Sequence, residues 1–246
     1  MDFYDNIAGF YDDMTRYSER FDREKTVWQK ILALYPFKSA LDMACGSGLH
    51  TVILHELGAR VTGMDPSAEM LRLAADHARS LNYNIPYLAG VMQEPLPGIG
   101  TFDAVLCLGN SIPHVLDNTD LQKTIANFSA LLNPNGLLII QLLNYHRILL
   151  DKNRIVNISQ QGENEYIRFY DFLESTLQFN ILNIFRKEGK TAHRLDSVML
   201  KPWQALDFLP LLEQHTFSSI ELWGGMNMQP FAAASSTDLV IKAVKG

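Results

Sequence analysis

The chain has 246 residues, of which 47% are apolar and 20% charged, with a formal net charge of −6. That mixture supports a packed core in one large domain, or a core with an addition, and excludes collagen-like, low-complexity and disordered chains. The acidic balance also disfavours general affinity for nucleic acid, which calls for the opposite sign.

Residues 2–36 read as a helical segment. From residue 39 to 144 strand and helix alternate. Ser39–Met43 is a short apolar strand ending in a glycine loop, and Thr51–Leu57 is a helix stopped by Gly58. Arg60–Met64 is a second strand. Pro66-Ser67 opens a helix to about Leu81, with Ser67 as N-cap. Ile85–Ala89 and Phe102–Leu108 are strands three and four. Thr119 to Leu132 fits an amphipathic helix, Asn133-Pro134-Asn135-Gly136 a turn, and Leu137–Leu143 a fifth strand. Near-continuous apolar strands alternating with helices predict a parallel sheet covered on both faces.

After Tyr145 the texture changes. Arg154–Ser159, Glu165–Phe172, Thr176–Lys187 and His193–Met199 are rich in β-formers, with polar turns at Gln160–Asn164 and Glu188–Lys190. They read as antiparallel strands. Trp203–Gln214 returns to helical spacing, and Ser218–Trp223 and Asp238–Val244 close the pattern.

The strongest chemical signal is Leu41-Asp42-Met43-Ala44-Cys45-Gly46-Ser47-Gly48, where the first strand meets the first helix of the alternating region. Glycines there admit a ligand close to the backbone, and the helix start offers unpaired N–H groups. A dinucleotide fingerprint needs a glycine at position 51, where this chain has Thr51. Asp42 beside the loop suits a cationic ligand group better than a pyrophosphate. Asp65 ends the second strand, where a carboxylate can accept both hydroxyls of a ribose; alone it would read as a turn residue before Pro66. Together the two features indicate a nucleoside-bearing ligand without a recognised diphosphate.

Asp42-x-Ala44-Cys45-Gly46-Ser47-Gly48 followed by Gly63-Met64-Asp65 resembles the class I S-adenosylmethionine-dependent methyltransferases. The likeness extends through Phe102–Ser111 and Leu131–Leu138. Leu108-Gly109-Asn110-Ser111 with His114, then Asn144-Tyr145 with Ile148-Leu149, is most similar to the glycine and sarcosine N-methyltransferase branch. The resemblance implies a Rossmann-like, doubly wound α/β fold. Its mostly parallel seven-stranded sheet would carry an antiparallel β-rich insertion and an N-terminal helical cover. Residues 1–38 would be the cover, 39–149 with 202–246 the core, and 150–201 the insertion.

By the same resemblance, Asp42, Ala44, Cys45, Gly46 and Gly48 belong to the loop bordering the methionine and ribose of S-adenosylmethionine, and Asp65 holds the ribose. Met64 and Met70 would lie near the adenine, with Met92 and Gln93 packing and hydrogen-bonding it; Val91 stands where an acid is common. Leu108 and Gly109 would line the methionine chain. Tyr4 and Tyr11 resemble the cover that closes over the cofactor, and Arg20 matches an arginine for its carboxylate. Asn110 would position the acceptor and the methyl group, with His114 and Tyr145 lining the pocket. The glycine-specific enzymes have a basic residue directly before Asn-Tyr; here it is Leu143, leaving Arg168, Arg194 or Arg147 as cations that can replace it.

Cys45 and Cys107 lie in no C-x-x-C and read as small buried hydrophobes. His50 and His55 lack zinc-ligand spacing, so no metal is expected. The acidic start, Met-Asp-Phe-Tyr-Asp-Asn, has neither a basic nor an apolar leader region, and no apolar run approaches the roughly 20 residues of a membrane span. The expectation is a cytoplasmic enzyme of the EC 2.1.1 type. It would convert S-adenosylmethionine to S-adenosylhomocysteine while methylating a small molecule, an amine nitrogen first, with neither a nucleic-acid nor a membrane partner. Two alternatives stay open: O-methylation of a phenol, quinone or carboxylate, and cofactor binding without catalysis.

Overall fold

Two sheets organise the computed structural model, which describes residues 2–187 and 189–246. The chain opens with α1 (Asp2–Thr15) and α2 (Tyr17–Leu34), broken at Arg16, whose φ of 55° is left-handed. Then come β1 (Ser39–Met43), α3 (Leu49–Glu56), β2 (Arg60–Asp65), α4 (Ala68–Ser80) and β3 (Tyr87–Ala89). The alternation continues with β4 (Phe102–Cys107), α5 (Asn118–Ala130), β5 (Leu132–Leu143) and α6 (Tyr145–Asp151). Four strands follow: β6 (Ile155–Gln161), β7 (Asn164–Phe172), β8 (Leu177–Lys187) and β9 (Lys190–Leu200). α7 (Ala205–Gln214), β10 (Phe217–Trp223) and β11 (Asp238–Lys245) complete the chain.

The larger sheet has the order β10-β11-β5-β4-β1-β2-β3. Its β1–β5 pairings are parallel, while β11 runs antiparallel to β5 and to β10. This is the expected doubly wound α/β fold. Chain order reverses between β1 and β4, so the crevice at their carboxyl ends is the place where such sheets bind ligands. One apolar cluster packs Met43, Val105, Ile140 and Phe128 on one face of the sheet. A second packs Ala40, Leu106 and Ile139 against Trp28 and Ile31 of α2 on the other. Burial on both faces is why these strands lack alternation.

The second sheet is antiparallel, in the order β6-β7-β8-β9. It turns Tyr166, Arg168 and Tyr170 of β7 towards the molecule and leaves Ile158 and Leu195 exposed behind. Its end is fastened to the larger sheet's loops by Lys201 N–H on the Pro113 carbonyl (2.7 Å) and by the Trp203 indole on Val115 (2.8 Å).

Several boundaries differ from the expected ones for local reasons. β3 begins at Tyr87 rather than Ile85, since Pro86 has no N–H for the ladder. α3 begins at Leu49, capped by Gly48. α7 begins at Ala205, after Trp203 has been drawn into the core. The turn at Asn133–Gly136 is an excursion within β5: Phe102 pairs with Leu132 and Ala104 with Leu137, so β5 extrudes residues that β4 does not match. The expected turn at Glu188–Lys190 includes residue 188, outside the described residues, as is residue 1. No helix among the described residues is long and apolar enough to cross a membrane.

Candidate active site

A cavity of about 740 Å³ opens at the carboxyl ends of β1 and β4, within the size range of small-molecule sites. The loop after β1 supplies Ala44, Cys45 and Gly46, and β2 supplies Asp65. The loops after β3 and β4 supply Met92 and Gln93, then Leu108, Gly109, Asn110 and His114. Tyr4, Tyr11 and Arg20 reach in from the first two helices.

In the glycine loop, Ala44, Gly46 and Gly48 take positive φ of 60°, 56° and 81°. The turn aims the Gly46 N–H at Asp65 Oδ2 (2.9 Å), while the Ser67 N–H donates to Oδ1 (2.9 Å). Each carboxylate oxygen of Asp65 keeps a lone pair for a further donor. Burial raises the Asp65 pKa against those two bonds, with Asp5 adding a smaller push.

The N-terminal helices are tied to this loop at several points. Asp5 Oδ1 accepts from the Ser67 hydroxyl (2.5 Å) and from the Glu69 N–H (3.3 Å), so a residue of α1 caps α4. Ser67 caps the same helix through Met70 N–H (3.1 Å). Asp12 pairs with His77 Nε2 (2.9 Å), and His77 Nδ1 meets the Ser47 carbonyl (2.8 Å). The Tyr4 hydroxyl bonds to His114 Nε2, and burial lowers the His114 pKa to about 4, leaving a neutral imidazole. Tyr11 stands over the loop, its hydroxyl 3.9 Å from where a Cβ on Gly46 would be.

Five expected positions lie off the cavity wall. Asp42 sits beneath the loop, 1% exposed, with Oδ2 lacking a partner among the described residues; burial, opposed by His50 and helped by Asp65, pushes its pKa up to about 7. Gly48 faces α4, where an added Cβ would meet Ala74. Met64 precedes Asp65 on a strand, and successive side chains point to opposite faces, so it is fully buried in the core. Met70, one turn into α4, packs under Phe3 and Ile7. Tyr145 is buried behind Asn110, whose side-chain amide donates to its hydroxyl (3.0 Å). Asn110 has φ 66°, and its Oδ1 accepts from Leu143 N–H (3.0 Å); Tyr145 therefore holds Asn110 in place rather than lining the pocket.

Other wall residues lie outside the motifs. Glu24 accepts from Arg20 Nε (2.7 Å) and contacts His50 Nε2 (2.7 Å). Burial raises its pKa, but His50 and Arg20 together bring it down to about 2. The i, i+4 spacing of Arg20 and Glu24 is the signal that locates this pair. Gln141, whose Oε1 accepts from Gly109 N–H (2.7 Å), Asp238 and Tyr170 have no such local signal.

Residues 40–136 match the family described as a methyltransferase domain. The chain is 34% identical over 149 residues to the glycine/sarcosine N-methyltransferase of Halorhodospira halochloris, covering 60% of this chain and 56% of that protein. It is 29% identical over 218 residues to the glycine N-methyltransferase of Rattus norvegicus, covering 84% and 68%. Thus the chain spans little more than half the length of the bacterial relative. In structure it superposes on an S-adenosylmethionine-dependent methyltransferase from Clostridium acetobutylicum ATCC 824 with a TM-score of 0.84, over 99% of each chain at 18% identity, a likeness of fold.

Proposed function

We propose, from the premise that residues 40–136 are a methyltransferase domain, that the chain binds S-adenosylmethionine and methylates a small-molecule amine. The observation that carries this reading is Asp65. Its carboxylate is fixed by Gly46 and Ser67 N–H groups at the mouth of a glycine loop, with lone pairs left over beside the cavity. That oriented acceptor fits the two hydroxyls of a vicinal diol. Ala44, Cys45 and Gly46 present backbone to the ligand; Met92 and Gln93 flank the adenine; Leu108 and Gly109 border the methionine chain. Arg20 takes the cofactor carboxylate.

S-adenosylmethionine, held by these residues, would supply an electrophilic methyl group to the lone pair of an acceptor amine, with the C–S electron pair retained by sulfur and the amine proton released to solvent. The chain's part is to align the nitrogen and exclude water, an effect worth several of the roughly 7–11 kcal/mol available from proximity. Asn110, locked by Leu143 N–H and Tyr145, is rigid enough for that task. His114 is uncharged at neutral pH and lines the acceptor end without repelling an amine. Helices α1 and α2 and the second sheet form the cover, acting as separate parts from the core. The acidic balance favours a small acceptor over nucleic acid.

Calorimetry with S-adenosylhomocysteine and with NADH tests the binding reading. S-adenosylhomocysteine should bind and NADH should not; absence of S-adenosylhomocysteine binding at about 1 mM overturns it. Asp65→Ala should weaken binding by about 100-fold, the loss of two hydrogen bonds to a charged group. Labelled S-adenosylmethionine offered with amines, amino acids and phenols then identifies the acceptor atom, and transfer to phenols alone would replace N- by O-methylation.

A further inference from the structure

Asp238 is the first residue of β11 and stands opposite Leu143 of β5 in the antiparallel register, and both line the cavity. Gln141, two residues back on β5 and so on the same face, lines the wall beside them. The Gly109 N–H fixes its amide through Oε1 (2.7 Å), which turns the amide N–H groups to Asp238. The Asn110 N–H donates to the Gln141 carbonyl (3.2 Å), and the Leu143 N–H to Asn110 Oδ1 (3.0 Å). Asp238 is thereby joined through a single residue to the loop that carries Gly109 and Asn110.

An aliphatic amine is an ammonium ion at neutral pH and has no lone pair to offer until it loses a proton. A wall group that takes this proton replaces escape to solvent by a transfer within the complex. The other candidates on the wall are engaged. Asp65 is held by two backbone N–H groups, and Glu24 is bonded by Arg20 and His50. His114 contacts Tyr4 and, with its pKa lowered to about 4 by burial, is a weak base. Asp238 is left with Gln141 as its side-chain donor among the described residues. Arg147 of α6, whose charge reaches it, is bonded instead to the Ser235 carbonyl (3.1 Å) and to Asp151 (4.0 Å). Lone pairs of the Asp238 carboxylate therefore stay open to the cavity. Burial raises its pKa, with Gln141 and Arg147 opposing the rise, and the net rise favours uptake of a proton. The arginines of the wall, Arg20 and Arg23 of α2 and Arg168 of β7, all belong to the cover, so an ammonium is turned towards β5 and β11.

We propose that Asp238 is the general base of the reaction: it receives the acceptor as an ammonium ion, takes one proton from it and frees the nitrogen lone pair beside Asn110. This rests on the methyltransferase reading above and narrows it to acceptors that arrive protonated, which a phenol does not. The N–H electron pair stays on nitrogen as the proton moves to the carboxylate. That pair then forms the C–N bond, the C–S pair stays with sulfur, and the product leaves as a methylated ammonium ion. The Asp238 carboxylic acid gives its proton to solvent before the next turnover.

Sinefungin, in which an amine-bearing carbon replaces the methyl-bearing sulfur of S-adenosylmethionine, puts an ammonium at the reacting position without any acceptor. By calorimetry, Asp238→Asn should bind sinefungin about tenfold or more weakly than the wild type while keeping its S-adenosylhomocysteine affinity within about twofold. Asp238→Glu should recover part of the loss. Methylamine, offered with labelled S-adenosylmethionine, gives the second readout. From about pH 7 to about pH 9, transfer at low methylamine concentration should be level for the wild type, which uses the ammonium ion. In Asp238→Asn it should climb about tenfold per pH unit, because the variant uses only the scarce uncharged amine. Equal sinefungin affinities overturn the proposal, as does an equal loss of sinefungin and S-adenosylhomocysteine affinity in a folded Asp238→Asn. So does a wild-type transfer rate at pH 7 no higher than that of the variant. Failure of the wild type to bind S-adenosylhomocysteine at all counts against the methyltransferase reading itself, and is read out separately before the amines are added.

Discussion

The hydroxyl of Tyr4 lies 2.8 Å from Nε2 of His114, joining the first helix to the loop after β4 across 110 positions of sequence. Removing it with Tyr4→Phe leaves the ring's packing and deletes one hydrogen bond, a net loss of about 1 kcal/mol. The expected result is an about fivefold weaker affinity for S-adenosylhomocysteine by calorimetry, with the unfolding midpoint lowered by roughly 2–4 °C. Burial holds His114 at a pKa of about 4, below the value near 6.5 of an unfolded chain. The unfolded state therefore binds more protons between these limits, and stability falls as pH drops from about 6.5 to about 4. His114→Gln should flatten that limb of a midpoint-against-pH curve.

Gly48 is set by packing as well as by backbone. A Cβ there would stand 2.8 Å from Ala74 Cβ and 3.0 Å from its Cα, at a φ of +81°. Gly48→Ala should cost about 3 kcal/mol from strain and overpacking combined, lowering the thermal midpoint by roughly 8 °C for a chain of this size. Gly109 has a similar φ, +68°, but open space around the added carbon. Gly109→Ala should cost only about 1 kcal/mol. Equal losses at the two sites would remove the packing argument.

Asp42 should make the ligand-free protein more stable in mild acid. With its folded pKa raised to about 7 by burial, the native state holds a proton that the unfolded state has released above about pH 4. Stability thus declines as pH rises from about 4 to about 7 and is level beyond. Asp42→Asn should abolish this slope and raise the unfolding midpoint at pH 8 by several degrees, with little effect near pH 4.5.

His77 carries the opposite sign. Burial lowers its pKa, but Asp12 and the Ser47 carbonyl more than reverse this, so it is raised overall. Its contribution is complete below the unfolded value near 6.5 and is lost as pH rises through the higher folded value. His77→Gln should accordingly destabilise more at pH 6 than at pH 9 in thermal unfolding. Because Asp12 belongs to α1, ligand affinity should show the same dependence.

Chain alternation and the glycine loop are local patterns, and these were legible. The parallel sheet follows from the first and the pairing of Gly46 with Asp65 from the second, whereas Gly109 and Asn110 entered through the family resemblance and the strand order is set by tertiary packing. Facing direction was less legible. A motif names neighbours such as Met64 and Asp65 together, whereas a strand sends them to opposite sides. Tyr145 follows a loop that packs it behind Asn110, so membership of a motif did not distinguish contact from support. The residues with no local signal, Asp238, Gln141 and Tyr170, reach the wall from β11, β5 and β7, and only tertiary packing assembles them.

The hydrogen bonds through Ser67 join two events that are otherwise separate. Its N–H orients Asp65, and its hydroxyl is held by Asp5 of the cover. A ligand that steadies Asp65 steadies the start of α4, and with it the seat on which α1 packs. Such coupling is reciprocal: whatever factor the ligand adds to the docking of α1, that docking returns to the ligand's affinity. The first helix thus reaches the cavity by two routes, directly through Tyr4 and Tyr11 on its wall and indirectly through Asp5 and Ser67, so that substitution of Asp5, which is not on the wall, should also weaken ligand binding.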